Sequence, residues 1–295
     1  MKGVRELKRR ARGDQNIRKI TKALELVAGT KLRRLQERAA STRPFALRLE
    51  SIMQRVAGFA DPEASPLLVS KDKVTDVAIV ILAADKGLCG SSNSNVFRRS
   101  VPEIRKLLAE GKRVHLHLIG RRAAQFFGRL KDAGIKIDYV HPDIVEKITF
   151  RRVKSIMGDL VKAYLDDRIQ EVRIVYTALV GAATCKPTLQ TVIPFQKPEN
   201  KAGENADAGE YILEPSPAAI VERLVPRFLE MQLFAAILES LAAEFASRRI
   251  AMKNATDNAD EVIQTLIKEY NKARQAGITS ELLEITSGAE AARAS

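Results

Sequence analysis

The sequence is poor in the residues that several common classes of protein require. Two cysteines, Cys89 and Cys185, are too few for a disulfide framework or a four-thiolate zinc site. There is no tryptophan, and aromatic residues make up only 5% of the 295 residues. The longest apolar run, Val77–Ala84, is far shorter than the roughly 20 residues of a membrane-spanning helix. We therefore exclude a membrane-spanning protein and a secreted disulfide scaffold. The charged first residues also predict that no secretory signal is present.

Positive charge is concentrated at the start of the chain. Residues 1–60 carry 16 Lys and Arg against 5 Asp and Glu, whereas residues 216–295 carry 9 against 11. A strongly basic helix can face nucleic acid, an anionic lipid surface or an acidic protein, or it can simply be solvated. Charge alone leaves these alternatives open.

Apolar residues at alternating spacings of three and four predict a long helix at each end of the chain. In the first helix this spacing runs through Ile17, Ile20, Leu24 and Val27, and it restarts at Ala28 with an apparent slip of register. Pro44 should kink this first helix or interrupt its hydrogen bonding. The spacing also predicts a helix over 211–290. Because each stripe is narrow, each helix needs a partner, and the two ends of the chain can pair as an antiparallel coiled coil. The second helix is the longer one, so its last part should extend past its partner.

Strand and helix patterns alternate between the two terminal helices. The predicted strands are Val77–Ala83, Arg113–Ile119, Ile135–Val140, Val172–Val180 and Thr188–Phe195, and the predicted helices are Asn93–Glu110, Arg121–Ala133 and Phe150–Leu165. The alternation predicts βαβ units and a mostly parallel sheet in a Rossmann-like α/β domain. We therefore divide the chain into an N-terminal helix, a linker, the central domain, a mobile loop and a C-terminal helix. Their bounds are 1–60, 61–73, 74–196, 197–210 and 211–290.

The sequence offers little evidence of catalysis. It has no Walker-type phosphate loop. The Gly-rich stretch Asp85–Asn95 could bind an anion at a helix N-terminus, but a tight turn that needs Gly87 and Gly90 is the favoured interpretation. His115 and His117 share one face of a strand, but no third ligand completes a metal site. We predict no catalytic, cofactor-binding or metal-binding residues.

Four segments resemble the gamma subunits of F-type ATP synthases. They are IRKITKALELVAGTKLRRLQ (Ile17–Gln36), DKGLCGSSNSNV (Asp85–Val96), SRRIAMKNATDNADEVI (Ser247–Ile263) and YNKARQAGITSELLEITSGAEA (Tyr270–Ala291). The resemblance spans nearly the whole chain, and the two terminal segments are highly specific. The family often has Met at Leu24, Ala at Gly29, Arg at Lys86 and an apolar residue at Arg249. The motif begins almost at Met1, so the resemblance is to a bacterial form.

The resemblance implies a rotor shaft without catalytic activity of its own. In the family the paired helices turn inside a ring of three alpha and three beta subunits, and the α/β domain stands on the membrane c-ring with the epsilon subunit. Rotation driven by ion flow takes each beta subunit through its catalytic states. The resemblance therefore implies ATP synthesis and hydrolysis coupled to ion transport, no cofactor, and a peripheral location on the cytoplasmic face of the bacterial inner (plasma) membrane.

The resemblance also assigns contact residues. Arg274 and Gln275 match a pair that hydrogen-bonds a loop of a beta subunit, and Leu24 with Lys22 and Lys31 matches the place where the shaft passes an acidic lever of a beta subunit. Tyr211 and Glu214 match the foot that contacts the c-ring.

Two other functions remain open from the residues alone. A basic coiled-coil protein that binds nucleic acid would explain the charge of the first helix. A small nucleotide- or phosphate-binding enzyme would use the Asp85–Asn95 turn. The absence of a recognition motif and the few aromatic residues argue against nucleic acid.

Overall fold

The structure is a computed structural model that describes residues 2–59, 65–130, 133–143, 148–181, 184–195 and 216–294. Contacts between Cα atoms divide the chain into two compact units. The two-helix unit comprises Met1–Gly29 and Arg248–Ser295, and the central unit comprises Thr30–Ser247.

Five helices and five strands are present in the described residues. The helices are α1 (Lys2–Phe59), α2 (Ser92–Ala109), α3 (Arg121–Phe127), α4 (Phe150–Leu165) and α5 (Pro217–Ala294). The strands are β1 (Asp76–Leu82), β2 (Arg113–Ile119), β3 (Ile135–His141), β4 (Glu171–Val180) and β5 (Thr184–Ile193). The fold class predicted from the sequence is confirmed: long terminal helices flank a mostly parallel α/β sheet.

The sheet has the strand order β3-β2-β1-β4-β5. Strands β1 to β4 pair in parallel, and β5 is antiparallel to β4 because a short connection joins them. β1 lies at the centre, and all seven of its side chains are buried, as its continuous apolar sequence predicts. β3 is the edge strand on one side, and each of its side chains is half-buried or exposed.

Helices cover both faces of the sheet. On one face, α2 and α3 pack against alternate residues of β1 and β2, including Ile79 and Leu116. On the other face, α4 and the first half of α5 pack against Val80 and Ile119, and α1 contributes Leu49 and Met53 to this core. Within the central unit α5 is therefore buried on a broad face, which is wider than the narrow stripe that its spacing predicts.

Most predicted elements agree with the structure, but the extents of two differ clearly from the prediction. α3 ends at Phe127 and not at Ala133, with Gly128 as its C-cap. β5 begins at Thr184, before the predicted Thr188, because four more residues pair with β4. α1 contains Pro44 and continues to Phe59, so Pro44 does not end the helix; the predicted kink or break in hydrogen bonding stays a prediction. The predicted loop 197–210 and residues 61–64 of the predicted linker lie outside the described residues.

The predicted slip of register in α1 is wrong. Ile17, Ile20 and Val27 are 53%, 60% and 52% exposed, so they do not belong to the inner seam. Apart from Leu24, Gly29 and Ser51, the less exposed of the described positions follow one alternation of three and four residues, broken only at the ion-pairing Arg18. Those positions are Val4, Leu7, Ala11, Asp14, Thr21, Glu25, Ala28, Leu32, Leu35, Ala39, Thr42, Ala46, Leu49 and Met53. The apparent slip arises because a second apolar stripe faces outward.

Candidate functional site

Three contacts set the antiparallel pairing in the two-helix unit. Arg18 forms an ion pair with Asp260 at 2.7 Å, and the hydroxyls of Thr21 and Thr256 lie 2.8 Å apart. The side chain of Arg249 lies against Gly29, where an added Cβ would be 3.7 Å from the Arg249 Cδ. Because both ionic partners are more than 40% exposed, the ion pair contributes little stability. Apolar contacts and the buried Thr256 hold the helices together.

The outward stripe of α1 is a separate apolar surface. We name Ile17, Ile20 and Val27 the outer stripe, and they are between 52% and 60% exposed. These side chains do not belong to the inner seam of the helix pair. Exposed apolar side chains in a group indicate a surface that contacts another protein.

Three of the predicted contact residues lie near the outer stripe in sequence. Lys22 is exposed and forms an ion pair with Glu25 at 3.0 Å, and Leu24 is half-buried. Lys31 belongs to the central unit, where its Nζ lies 5.3 Å from the centre of the Phe245 ring. A lysine held over an aromatic ring keeps its charge accessible to an acidic partner.

Arg274 and Gln275 lie side by side on the exposed surface of α5. The Arg274 guanidinium lies 5.9 Å from the centre of the Tyr270 ring, one turn earlier in the helix. This contact orients the guanidinium along the helix without removing it from solvent. Both side chains can therefore offer hydrogen-bond donors to a partner.

The end of α5 is exposed on all sides. Every described side chain from Ile278 to Ala289 is exposed. Four are large and apolar, with exposures from 49% to 67%: Ile278, Leu282, Leu283 and Ile285. In the two-helix unit Arg18 contacts Asp260, and Thr21 contacts Thr256. Because the helices are antiparallel, continuing this register places the start of α1 opposite about residue 277 of α5. The last turns therefore extend past the start of α1, as the sequence predicts.

The predicted foot residues Tyr211 and Glu214 lie outside the described residues. They remain a prediction from the resemblance. None of the described helices is long and apolar enough to cross a membrane.

The Gly-rich turn after β1 is held by a hydrogen bond between its two ends. The Ala84 amide donates to Asn93 Oδ1 at 2.9 Å, and Gly90 has a φ of +57°. An added Cβ at Gly87 would lie 2.8 Å from an Arg122 guanidinium nitrogen. Ser91 occupies the N-cap position of α2, but its side chain makes no capping hydrogen bond. These observations fit a tight turn that needs glycine. Gly90 has a positive φ, and the Arg122 side chain lies too close to Gly87 to leave room for a Cβ.

The described residues define a type of protein that has paired terminal helices with exposed apolar side chains and a five-stranded α/β unit. A family model described as ATP synthase matches residues 3–292. The chain is 35% identical to the ATP synthase gamma chain of Histophilus somni over 292 residues, which are 99% of this chain and 100% of that one. It is 37% identical to the ATP synthase gamma chain of Heliobacterium modesticaldum over 300 residues, with 99% of each chain covered.

Solved structures agree with the fold. A chain of the Euglena gracilis mitochondrial ATP synthase superposes with a TM-score of 0.68 at 19% identity, covering 99% of this chain and 95% of that one. A chain from the central stalk and c-ring of the Tetrahymena thermophila mitochondrial ATP synthase gives a TM-score of 0.57 at 20% identity, covering 80% of this chain and 99% of that one. The chain belongs to the family of ATP synthase gamma chains. None of these relatives is a nucleic-acid-binding protein, so they give that alternative no support.

Proposed function

We propose that the chain is the central rotor shaft of a rotary ATP synthase on the cytoplasmic face of a bacterial plasma membrane. It transmits torque between an ion-driven c-ring and the catalytic beta subunits, and it catalyses no reaction itself. Three alpha and three beta subunits surround the two-helix unit, and the central unit contacts the epsilon subunit and the c-ring.

The observation that carries this proposal is the outer stripe together with the exposed end of α5. The outer stripe lies on α1 outside its seam with α5, and the end of α5 extends past the start of α1. A shaft that turns in a sleeve needs contacts that do not fix one angle. Dispersion contacts are individually weak and non-directional, so they permit sliding in a way that hydrogen bonds do not.

Coupling requires contacts that favour one state of each beta subunit over the others. A shaft can only shift such an equilibrium by the difference in its affinity for the states. Lys22, Lys31, Arg274 and Gln275 are exposed polar side chains that can supply this difference. Charge-assisted hydrogen bonds contribute roughly 1.5–3 kcal/mol each. That is enough to bias a beta subunit without locking the shaft.

Reconstitution tests this function. The purified full-length chain is mixed with the alpha and beta subunits of the same organism, and ATP hydrolysis is measured. We expect no hydrolysis by the chain alone and restoration of hydrolysis in the mixture. If the chain does not assemble with the alpha and beta subunits, the proposal is wrong. ATP hydrolysis by the chain alone would instead support an enzyme.

The outer stripe provides a sharper version of this experiment. Ile20→Asp places a charge on the outer stripe, where it is 60% exposed in the free chain. The substitution should leave the stability of the free chain nearly unchanged and reduce assembly or turnover strongly. Lys19→Asp, at the exposed neighbouring position, is the control for a new acidic group. Equal effects of the two variants would show that the apolar surface has no special role.

A further inference from the structure

The hairpin of β4 and β5 packs against both terminal helices of the central unit through a small apolar cluster. Leu32 of α1 and Ala242 and Ala246 of α5 are buried in it, with exposures between 2% and 6%. These three residues belong to neither of the cores on the two faces of the sheet. We call the group the brace cluster, and its members are Leu32, Leu35, Leu179, Cys185, Ala242, Phe245 and Ala246.

The hairpin approaches α5 closely because the facing residues of the helix are small. The Cys185 thiol donates to the Ala243 carbonyl oxygen at 3.6 Å, and it accepts from the Ser247 hydroxyl at 3.5 Å. Leu179 and Cys185 are paired across the two strands, so both strands of the hairpin meet the helices at one level. Hydrogen bonds to sulfur are weak, but their direction fixes the position of the hairpin along α5.

The brace cluster holds α1 at a second point, far from the first. In the larger core of the central unit, the buried residues of α1 are Leu49 and Met53. Leu32 precedes Leu49 by about five helical turns, which is roughly 25 Å of helix at about 1.5 Å per residue. A rod that is fixed at one end can bend and twist along the rest of its length, whereas two separated attachments resist both motions.

We propose that the hairpin of β4 and β5 is a torque brace, an inference that rests on the rotor function proposed above. Torque that enters the central unit from the c-ring must pass to α1 and α5 before it can act on a beta subunit. The larger core holds α1 near Leu49 and Met53 only, so the helix could deflect beyond that point. The brace cluster contacts α1 and α5 at once and opposes this deflection, so the helices turn with the sheet.

Alkylation of Cys185 measures how often the hairpin leaves the helices. Cys185 is half-buried with its thiol against the Ala243 carbonyl, so N-ethylmaleimide should react faster when the hairpin is detached. In the full-length chain, Leu179→Ser should raise this rate about fivefold, because part of a leucine side chain is lost from the brace cluster. Mass spectrometry of the peptides separates Cys185 from the buried Cys89.

Val180→Ser is the matched control for this variant. Val180 is the next residue of β4, it is 56% exposed, and it does not belong to the brace cluster. The control should alkylate at the rate of the unmodified chain. If Leu179→Ser also leaves the rate unchanged, the cluster does not hold the hairpin and the proposal is wrong.

The brace should affect the transmission of torque and not the hydrolysis of ATP. The complex is reconstituted in vesicles with the membrane sector of the same organism, and ATP hydrolysis and ion uptake are measured on one sample. Leu179→Ser should keep the hydrolysis but lower the number of ions moved per ATP about twofold, because an open cluster transmits less torque. Val180→Ser should keep both.

The failure of the brace and the failure of the rotor function give different results. A chain that is not a rotor shaft does not assemble with the alpha and beta subunits at all. A Leu179→Ser chain that assembles and keeps the full ratio of ions to ATP overturns the brace alone. Equal losses of hydrolysis and ion uptake also overturn it, because they indicate a purely structural role for the hairpin.

A reversible crosslink tests the brace without its apolar packing. Ser247→Cys, added to the Leu179→Ser chain, places a second thiol beside Cys185, because the Ser247 oxygen lies 3.5 Å from the Cys185 Sγ. Oxidation with copper phenanthroline, in which dissolved oxygen accepts the two electrons, joins the hairpin to α5 through a disulfide. The crosslink should restore the ratio of ions to ATP, and dithiothreitol should abolish the recovery.

The same chain with Cys185→Ser is the control for the crosslink. It cannot form this disulfide, so oxidation should leave its ratio of ions to ATP low. A chain that forms the crosslink, as shown by mass spectrometry, and still keeps the low ratio contradicts the inference.

Discussion

The hydroxyl oxygens of Thr21 and Thr256 lie 2.8 Å apart across the antiparallel pairing of the two-helix unit. Thr256 is 7% exposed, and its hydroxyl also lies 2.9 Å from the Met252 carbonyl, one turn back in its own helix. Thr21 has an alternative acceptor in the Arg18 carbonyl at 3.0 Å. The two hydroxyls thus form a polar contact inside the seam, where it favours one register of the helices over others.

Thr256→Val should destabilise the chain by about 1 kcal/mol, because the Thr21 hydroxyl then loses its cross-helix partner while the shape of residue 256 is kept. The double variant Thr21→Val with Thr256→Val should cost less than the sum of the single variants. Urea unfolding followed by circular dichroism measures both. Thr265→Val is the control, because the exposed Thr265 hydroxyl bonds only to a carbonyl of its own helix. Equal costs for Thr256→Val and Thr265→Val would show that the contact contributes nothing.

Gly29→Ala should stabilise the two-helix unit by roughly 0.5–1 kcal/mol, the helix-propensity difference between glycine and alanine. The new Cβ would lie 3.7 Å from the Arg249 side chain, which is ordinary contact. Gly13→Ala, in the same helix with no atom within 4 Å of its Cβ, gives the propensity term alone. The difference in melting temperature between the two variants reports the contact with Arg249. Destabilisation by Gly29→Ala alone would mean that Arg249 packs too closely to admit a methyl group.

The fold could be predicted from the sequence to a large extent, because its elements have simple patterns. β2 and α4 have the predicted bounds, and the continuous apolar run of β1 correctly indicates a strand buried on both faces. The inner seam of α1 could not be assigned correctly. Ile17 and Ile20 have the right spacing and hydrophobicity, but hydrophobicity does not distinguish a side chain that faces a partner helix from one that faces another protein.

The surroundings of His115 show a second limit of sequence reasoning. The alternation of side chains along a strand correctly places His115 and His117 on one face. Asp76 and Asp138 come from two other strands, and only the register and the bulge in β3 bring their carboxylates to His115. Neither the strand register nor the bulge in β3 can be predicted from a local sequence pattern. The nearest signal in the sequence is the pair of acidic residues close to the starts of two predicted strands.

Gly120→Ala should prevent the central unit from folding normally. Gly120 has a φ of +97°, and an added Cβ would lie 1.9 Å from the Ala83 carbonyl oxygen, closer than any real contact. Backbone strain and this clash together should exceed the roughly 4 kcal/mol that marks exceptional single substitutions. Gly111→Ala is the matched control, since Gly111 has a φ of +74° but no atom within 4 Å of the added Cβ. It should cost about 1–2 kcal/mol from the left-handed conformation alone. Near-ultraviolet circular dichroism and urea unfolding distinguish the two outcomes.

The paired substitution Arg274→Ala with Gln275→Ala should reduce coupling much more than stability. Both side chains are exposed, and the Arg274 guanidinium lies against the Tyr270 ring of its own helix, so the free energy of unfolding of the free chain should change by no more than about 0.5 kcal/mol. In the reconstituted complex, the loss of one charge-assisted hydrogen bond of about 1.5 kcal/mol corresponds to roughly a tenfold fall in turnover. Steady-state ATP hydrolysis by the assembled complex measures that fall.

Lys253→Ala with Asn254→Ala is the matched control for this pair. Lys253 and Asn254 are exposed, they are a cation and an amide like Arg274 and Gln275, and they lie three heptads earlier on the same face of α5. The control variant should retain most of the ATP hydrolysis rate, because the proposed contact with a beta subunit involves only the part of α5 around Arg274 and Gln275. If both pairs reduce hydrolysis equally, the polar face of α5 acts only through its general charge. If the Arg274 variant instead unfolds the free chain, these residues stabilise the helix pair and do not contact a beta subunit.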